Sequence, residues 1–250
     1  MDVSLYSAAA AMNASERWQD MVADNLSTAS VPGARQQEID FSAVQAGASA
    51  SSPGAAATNF VIPFAGASTN FSQGELKATT RPMDVALEGP GFFTVQLPDG
   101  SKAYTRNGGF RLNSQGQMTT NQGYLVVGSG GPLTFDPNNT APITISNDGQ
   151  VSQGADVKGR MAVTEFGNLK ALTNGGGGYF RADDPQLAQA KPAAATNVRQ
   201  GFVEESNTSP TLAMASLLTS MRLFESNQKV MQMQGDRMTR TINDLSGTAS

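Results

Sequence analysis

Residues 210–250 read PTLAMASLLTSMRLFESNQKVMQMQGDRMTRTINDLSGTAS. Leu217, Phe224, Met231, Met238 and Leu245 recur every seven positions, and Met221, Gln228, Gly235 and Ile242 recur at the same interval. Together the two series form an a/d stripe, the mark of a helix that buries a narrow seam against another helix. Gln228 and Gly235 weaken it at two consecutive d positions, and Arg222, Glu225, Lys229, Asp236 and Arg237 lie off the seam. A helix of this length protrudes beyond the body that the preceding Gly-rich segment can form. The stripe therefore needs a partner.

The other end of the chain offers one. Over residues 4–28, Leu5, Ala8, Met12, Gln19, Val22 and Leu26 fall near one stripe, and Ala9, Ala10 and Ala11 add helix propensity. Val31-Pro32-Gly33 ends this helix, since Pro lacks a backbone donor and Gly permits a left-handed turn. Asn25, near that end, suits a C-terminal cap. The C-terminal helix is longer by roughly ten residues, about three turns at ~3.6 residues each. Met238, Ile242 and Leu245 are then surplus apolar surface, which marks an interaction site. A self-sufficient hairpin of the two helices is the plainer alternative.

Between the helices the composition changes twice. Residues 42–70 are rich in Ala, Ser and Gly with Pro53 and Pro63, and read as an extended linker broken by the apolar Phe60-Val61-Ile62 and Phe64. From Phe71 to Asn197 short apolar runs alternate with turn signals. Val85-Ala86-Leu87 and Phe92 to Leu97 are strands, and Pro98-Asp99-Gly100 turns into Ala103 to Arg106. Asn147-Asp148-Gly149-Gln150 turns between Ile143-Thr144-Ile145 and Val151, and further strands follow over Val157 to Phe166 and at Tyr179-Phe180. The expected fold is α+β. Residues 1–35 and 200–250 form a terminal-helix assembly domain paired like a coiled coil, 36–70 a linker, and 71–199 an all-β domain.

Composition narrows the chemistry. The 250 residues contain neither cysteine nor histidine, so thiol catalysis, His-based triads and the common zinc sites are excluded. A net charge of −4 gives no electrostatic footprint for nucleic acid or an anionic membrane. No run approaches the ~18–20 apolar residues of a bilayer span, so no direct membrane insertion is expected. The opening MDVSLYSAAAAMNASERW lacks a basic n-region and a long apolar core, and no Sec-type signal peptide is expected. Carboxylates remain. Asp84 and Glu88 on one strand would sit ~13 Å apart at ~3.3 Å per residue, beyond the ~5–9.5 Å of a glycosidase pair. Glu204-Glu205 read as solvated acids ahead of the last helix. No enzyme and no cofactor is expected.

Several segments in order resemble the flagellar rod and hook family of axial proteins. Asp24-Asn25-Leu26-Ser27-Thr28-Ala29-Ser30-Val31-Pro32-Gly33-Ala34 resembles its NNLAN-x-x-T-x-GF signature, with Asn25, Leu26 and Gly33 matching and Asp24, Ser27, Thr28, Val31 and Ala34 departing. Asp84-Val85-Ala86-Leu87-Glu88-Gly89-Pro90-Gly91-Phe92-Phe93 is similar to DVAI-x-G-x-GFF, and Tyr104-Thr105-Arg106-Asn107-Gly108-Gly109-Phe110 to YTRNG-x-F. Gln200-Gly201-Phe202-Val203-Glu204-Glu205-Ser206-Asn207 resembles QG-x-LE-x-SNV. Within the family, Met1-Asp2 with Tyr6, Arg81-Pro82 and Met221 to Glu225 look most like its proximal-rod members, with distal-rod members second.

The resemblance implies a structural subunit of the basal-body rod, polymerising through its terminal helices into an axial tube that transmits torque. It implies as partners copies of itself, other rod and hook–basal-body subunits and the type III export apparatus, and a periplasmic location reached without a cleaved signal peptide. A hook subunit, or a secreted carbohydrate-binding β-domain presenting Tyr104, Tyr124, Tyr179 and Trp18, is the alternative.

Overall fold

The computed structural model describes residues 3–49 and 58–247, with side chains over 9–40, 66–241 and at 243. The expected seam residues Leu5, Ile242 and Leu245 and the apolar cluster Phe60 to Phe64 have side chains outside the described residues. The chain divides into two compact units, Met1–Leu26 with Gln37–Ser68 and Pro210–Ser250, and Ser27–Gln36 with Thr69–Ser209.

The first unit holds α1 (Val3–Thr28), β1 (Gln37–Ser49), β2 (Thr58–Thr69) and, at the chain's end, α2 (Pro210–Gly247). Pro210 opens α2 at a position where its missing N–H costs no helical bond and its fixed φ is already helical. Asn227 Nδ2 donates to Ser15 Oγ at 3.3 Å and Gln19 Nε2 to the Ser220 carbonyl at 3.4 Å, so the helices run antiparallel where these bonds form. The inward positions of α2 are Ala213, Leu217, Ser220, Phe224, Asn227, Met231 and Gln234. The a series Leu217, Phe224 and Met231 lies on this row. The expected d series does not: Met221 is 47% exposed and Gln228 and Gly235 are exposed, and Met238 of the a series is also 41% exposed. Ser220 and Asn227 take its place: the Asn227 side chain and the Ser220 main-chain carbonyl bond α1, and Ser220 Oγ donates back to the Leu217 carbonyl. A hydropathy pattern cannot register that.

Residues 36–70 correct a second expectation. In place of an extended linker, β1 and β2 pair into a two-stranded sheet. The Ala/Ser/Gly composition disfavours strands, but Ile39 and Phe41, and Phe60, Ile62 and Phe64, alternate at the strand period of two. That alternation was the available signal.

The second unit is a β-body. In chain order its strands are β3 (Leu76–Ala78), β4 (Val85–Glu88), β5 (Phe92–Gln96), β6 (Lys102–Thr105), β7 (Arg111–Leu112), β8 (Met118–Thr119), β9 (Leu125–Gly128) and β10 (Gly131–Pro132). There follow β11 (Ile143–Ile145), β12 (Gln150–Gln153), β13 (Asp156–Arg160), β14 (Val163–Phe166), β15 (Leu172–Gly176), β16 (Tyr179–Ala182), β17 (Ala190–Pro192), β18 (Asn197–Gln200) and β19 (Phe202–Glu204). Ten of them make an antiparallel sheet of order β15-β16-β6-β5-β9-β8-β7, with β10 on β9, β14 on β5 and β17 on β14. β11-β12-β13 form a separate meander. The last strands close the body from the C-terminal side, β18 along β4 and β19 along β3.

The adjacent Phe92 and Phe93 show why the middle of the sheet reads as a continuous apolar run. Successive side chains on a strand point to opposite faces. Phe93 meets Phe110 at 5.1 Å in the cluster with Val85, Leu87, Val95, Met118 and Val126. Phe92 lies in the other cluster, against Phe166 at 5.7 Å and Phe180 at 5.9 Å. Both faces of the sheet are covered, so no polar alternation survives there.

Candidate functional site

Two features stand out, one in each unit. On α2, apolar side chains flank the inward row on both sides. Met214, Leu218 and Met221 lie on one flank and Leu212, Leu223 and Val230 on the other, all exposed. At ~100° per residue Met214, Met221 and the whole second group sit roughly 100° around the helix from the inward row, and Leu218 about 150°, toward the outer ridge. Arg222, Lys229 and Arg240 occupy the ridge between the flanks, away from the inward row. Of the expected assembly residues on α1, Val22 and Asn25 are buried and Met12 and Leu26 half-buried. Asn25 Nδ2 donates to the Gln37 carbonyl and Asn25 Oδ1 accepts the Gln37 amide, both at 2.8 Å. Its amide thus holds the first residue of β1, a longer reach than the expected cap.

The second feature gathers five of the expected family-motif residues, Gly33, Gly89, Phe92, Arg106 and Asn207, around Glu204. The Glu204 carboxylate is wholly buried. Oε1 accepts from Arg35 Nη2 at 2.6 Å and from the Gly74 amide at 2.9 Å, and Oε2 accepts from Arg106 Nη1 at 3.3 Å. Arg106 Nη2 also donates to the Gly89 carbonyl at 2.6 Å, and its guanidinium lies over the Phe92 ring, 4.8 Å from the centroid. Burial pushes the Arg106 pKa down to about 10; Glu204 opposes that shift and Arg35 adds to it. Arg106 is therefore cationic at neutral pH. Two buried cations share one buried carboxylate, an arrangement in which losing the carboxylate costs about 3–5 kcal/mol. The expectation of a solvated Glu204 is thus corrected.

Asn207 extends the same cluster. Its Oδ1 accepts the Gln36 amide at 2.7 Å, and its Nδ2 donates to the Asn70 and Ser72 carbonyls at 2.9 and 3.1 Å. The Asn70 amide returns to the Gln36 carbonyl at 2.8 Å, and the Gly33 amide donates to the Glu204 carbonyl at 2.7 Å. Gly33 has φ +70, and a Cβ there would lie 2.4 Å from the Arg106 carbonyl carbon. This side of the motif is a clasp of main chain, two arginines, a carboxylate and an amide.

The remaining motif residues shape the framework. Arg81 holds buried Asp84 through both carboxylate oxygens, at 2.6 and 3.0 Å, and Glu88 pairs with Arg199 at 2.9 Å. Neither acid is placed for proton transfer. Val85 and Phe93 are core. Thr105 Oγ1 donates to the Gly178 carbonyl and accepts the Asn107 amide, and the Gly91 amide donates to Thr196 Oγ1. Gly108 passes so close to β4 that a Cβ would meet the Val85 oxygen at 1.6 Å. The Gly201 amide donates to the Asp84 carbonyl, and Ser206 Oγ accepts the Thr208 amide. Tyr104 and Tyr179, 7% and 6% exposed, are core residues and give no aromatic binding face. Sequence reasoning missed Arg35 altogether. Its signal was being the sole charge between Ser27 and Gln36.

Known proteins resemble this chain in sequence. The family described as "Flagellar hook protein FlgE/F/G D1 domain" matches residues 86–153, and that described as "Flagellar basal body rod FlgEFG protein C-terminal" matches residues 199–245. The class is therefore that of hook and rod axial proteins. FlgF of Caulobacter vibrioides is 32% identical over 92% of this chain and 93% of its own length. FlgF of Salmonella typhimurium is 33% identical with the same two coverages, and FlgG of Borreliella burgdorferi is 31% identical over 97% of this chain and 98% of its own. The chain belongs to the flagellar basal-body rod FlgF/FlgG family, whose members are structural subunits of the rod and not enzymes.

Proposed function

We propose that this subunit polymerises through its terminal helices, paired like a coiled coil, into the axial tube of the rod. The observation that carries this reading is the double apolar flank of α2. A helix with one inward row needs one partner, whereas a helix that also exposes Met214, Leu218 and Met221 on one side and Leu212, Leu223 and Val230 on the other suits neighbours on both. Contacts repeated head-to-tail without closing into a ring make an open helical assembly. Residues 1–35 and 200–250 then serve as the assembly domain, and the β-body of residues 71–199 ties neighbours together so that torque passes along the tube.

The partners are copies of this chain and the other rod and hook–basal-body subunits, in the proximal part of the rod. Export proceeds through the type III apparatus to the periplasmic rod, and neither nucleic acid nor membrane insertion takes part. Deleting residues 211–250 tests the reading in a motile strain. Loss of rod assembly with the deleted subunit still made is the expected result; an intact rod built from it refutes the reading.

A further inference from the structure

The chain passes between its two units four times, at 26/27, 36/37, 68/69 and 209/210. All four passages lead into three short segments of the β-body: 27–36, 69–74 and 204–209. These three segments are the ones that Glu204 and Asn207 bind. Glu204 takes Arg35 and the Gly33 amide from the first and the Gly74 amide from the second. Asn207 takes the Gln36 amide from the first and gives its own amide hydrogens to the Asn70 and Ser72 carbonyls of the second. Arg106, on the turn after β6, anchors the whole group to the main sheet through Glu204 and Gly89.

We propose that the Glu204–Asn207 clasp is a conformational lock that makes the roots of the terminal arms one rigid element, fixed to the β-body in the single subunit. Main-chain pairing alone gives these segments little. The first is joined to the others by the Gly33–Glu204 and Asn70–Gln36 bonds, and β3 and β19 are only three residues each. The ionic part supplies the rest, and it depends on one group. Among the described residues no acceptor reaches Arg35 Nε or Nη1, so Glu204 alone answers that buried cation. A buried charge cannot drift out of register without leaving its counter-ion in a medium of low dielectric. Loss of Glu204 therefore frees all three roots, whereas loss of Arg35 frees only the first from Glu204.

Amide hydrogen exchange on the full-length, unassembled chain tests the lock. In Glu204→Gln the amides of Gly33, Gln36 and Gly74 are expected to exchange at least tenfold faster, while Thr94, Met118 and Leu133 in the sheet keep their protection. Arg35→Met leaves the neutral Glu204–Arg106 pair in place. It is expected to release Gly33 and Gln36 and to spare Gly74, and this selective pattern supports the lock even where Glu204→Gln unfolds the whole body. Faster exchange spread evenly over root and sheet amides in both variants, or no change at the roots in either, overturns it. The readout concerns the lone subunit, so its failure is separate from failure of the assembly reading.

Discussion

Asn25 and Gln37, twelve residues apart, close a two-bond ring in which the side-chain amide of one pairs with both main-chain groups of the other. A strand offers its neighbour the same donor and acceptor pair, so Asn25 stands in for a strand where β1 begins. It links the last turn of α1 to the first residue of β1.

Replacing Asn25 by Ala is expected to leave the Gln37 N–H and C=O without these partners. An unmade bond of this kind costs about 1–3 kcal/mol when the groups stay buried. Asn25→Asp, which keeps the acceptor but sets a buried carboxylate oxygen against the Gln37 carbonyl, should cost at least as much. Exchange of the Gln37 amide and thermal melting of the three proteins give the ranking. Equal stability of Asn25→Ala and the parent chain would contradict it.

The flanks of α2 make separable predictions. Leu218→Glu and Leu223→Glu are both exposed changes, so each is expected to leave monomer stability within about 0.5 kcal/mol. Each should nevertheless block incorporation into the rod, because each removes one neighbour. Sedimentation of the purified variants and motility of strains carrying them are the measurements. If one variant assembles normally, that flank carries no contact.

Gly108→Ala should be among the most damaging single changes, since the added Cβ would fall 1.6 Å from the Val85 carbonyl oxygen. That contact is main chain, and the Gly108 carbonyl accepts the Val85 amide at 3.0 Å, so neither side can move without losing a bond. A loss of about 4 kcal/mol or more places it in the exceptional class. Urea unfolding checks it. Gly123→Ala is not a clash control, because its φ of +88 strains any side chain; Gly130→Ala, which meets nothing and has no such φ, is.

Tyr104 and Tyr179 predict an alkaline limit. Burial raises both phenols above their usual value, and at Tyr179 a hydrogen bond with Thr120 pulls the other way. A phenol whose folded pKa is raised binds its proton more tightly in the native state, so the unfolded chain holds fewer protons just above pH ~10. The stability tied to these protons is fully present below that value and is lost as pH rises through the folded pKa. Ultraviolet difference titration should show both phenols ionising late, with Tyr104→Phe and Tyr179→Phe shifting the alkaline unfolding midpoint upward. An unchanged midpoint in both would remove burial as the cause.

Much was legible in the chain itself. Helix stripes at both ends, turn signals such as Asp99-Gly100 and Asp148-Gly149, and the ordered motifs are local patterns, set by backbone geometry over a few residues. They determined an α+β chain with terminal helices, a β middle and membership of the axial family. Hairpins followed where Gly100 and Gly149 take φ of +83 and +81, as such turns require.

Tertiary structure alone decided which polar groups lie inside. Glu204 finds its counter-charge 169 residues away in Arg35, and Ser15 finds Asn227 at a separation of 212. No local pattern encodes a partner at that distance, and without the partner an acid or an amide reads as solvated. The same reason shifted the seam of α2 from Met221 to Ser220. Neighbouring helix positions differ by ~100°, and the row that faces α1 is the one on which the Asn227 side chain bonds Ser15, while the apolar Met221 was left facing outward.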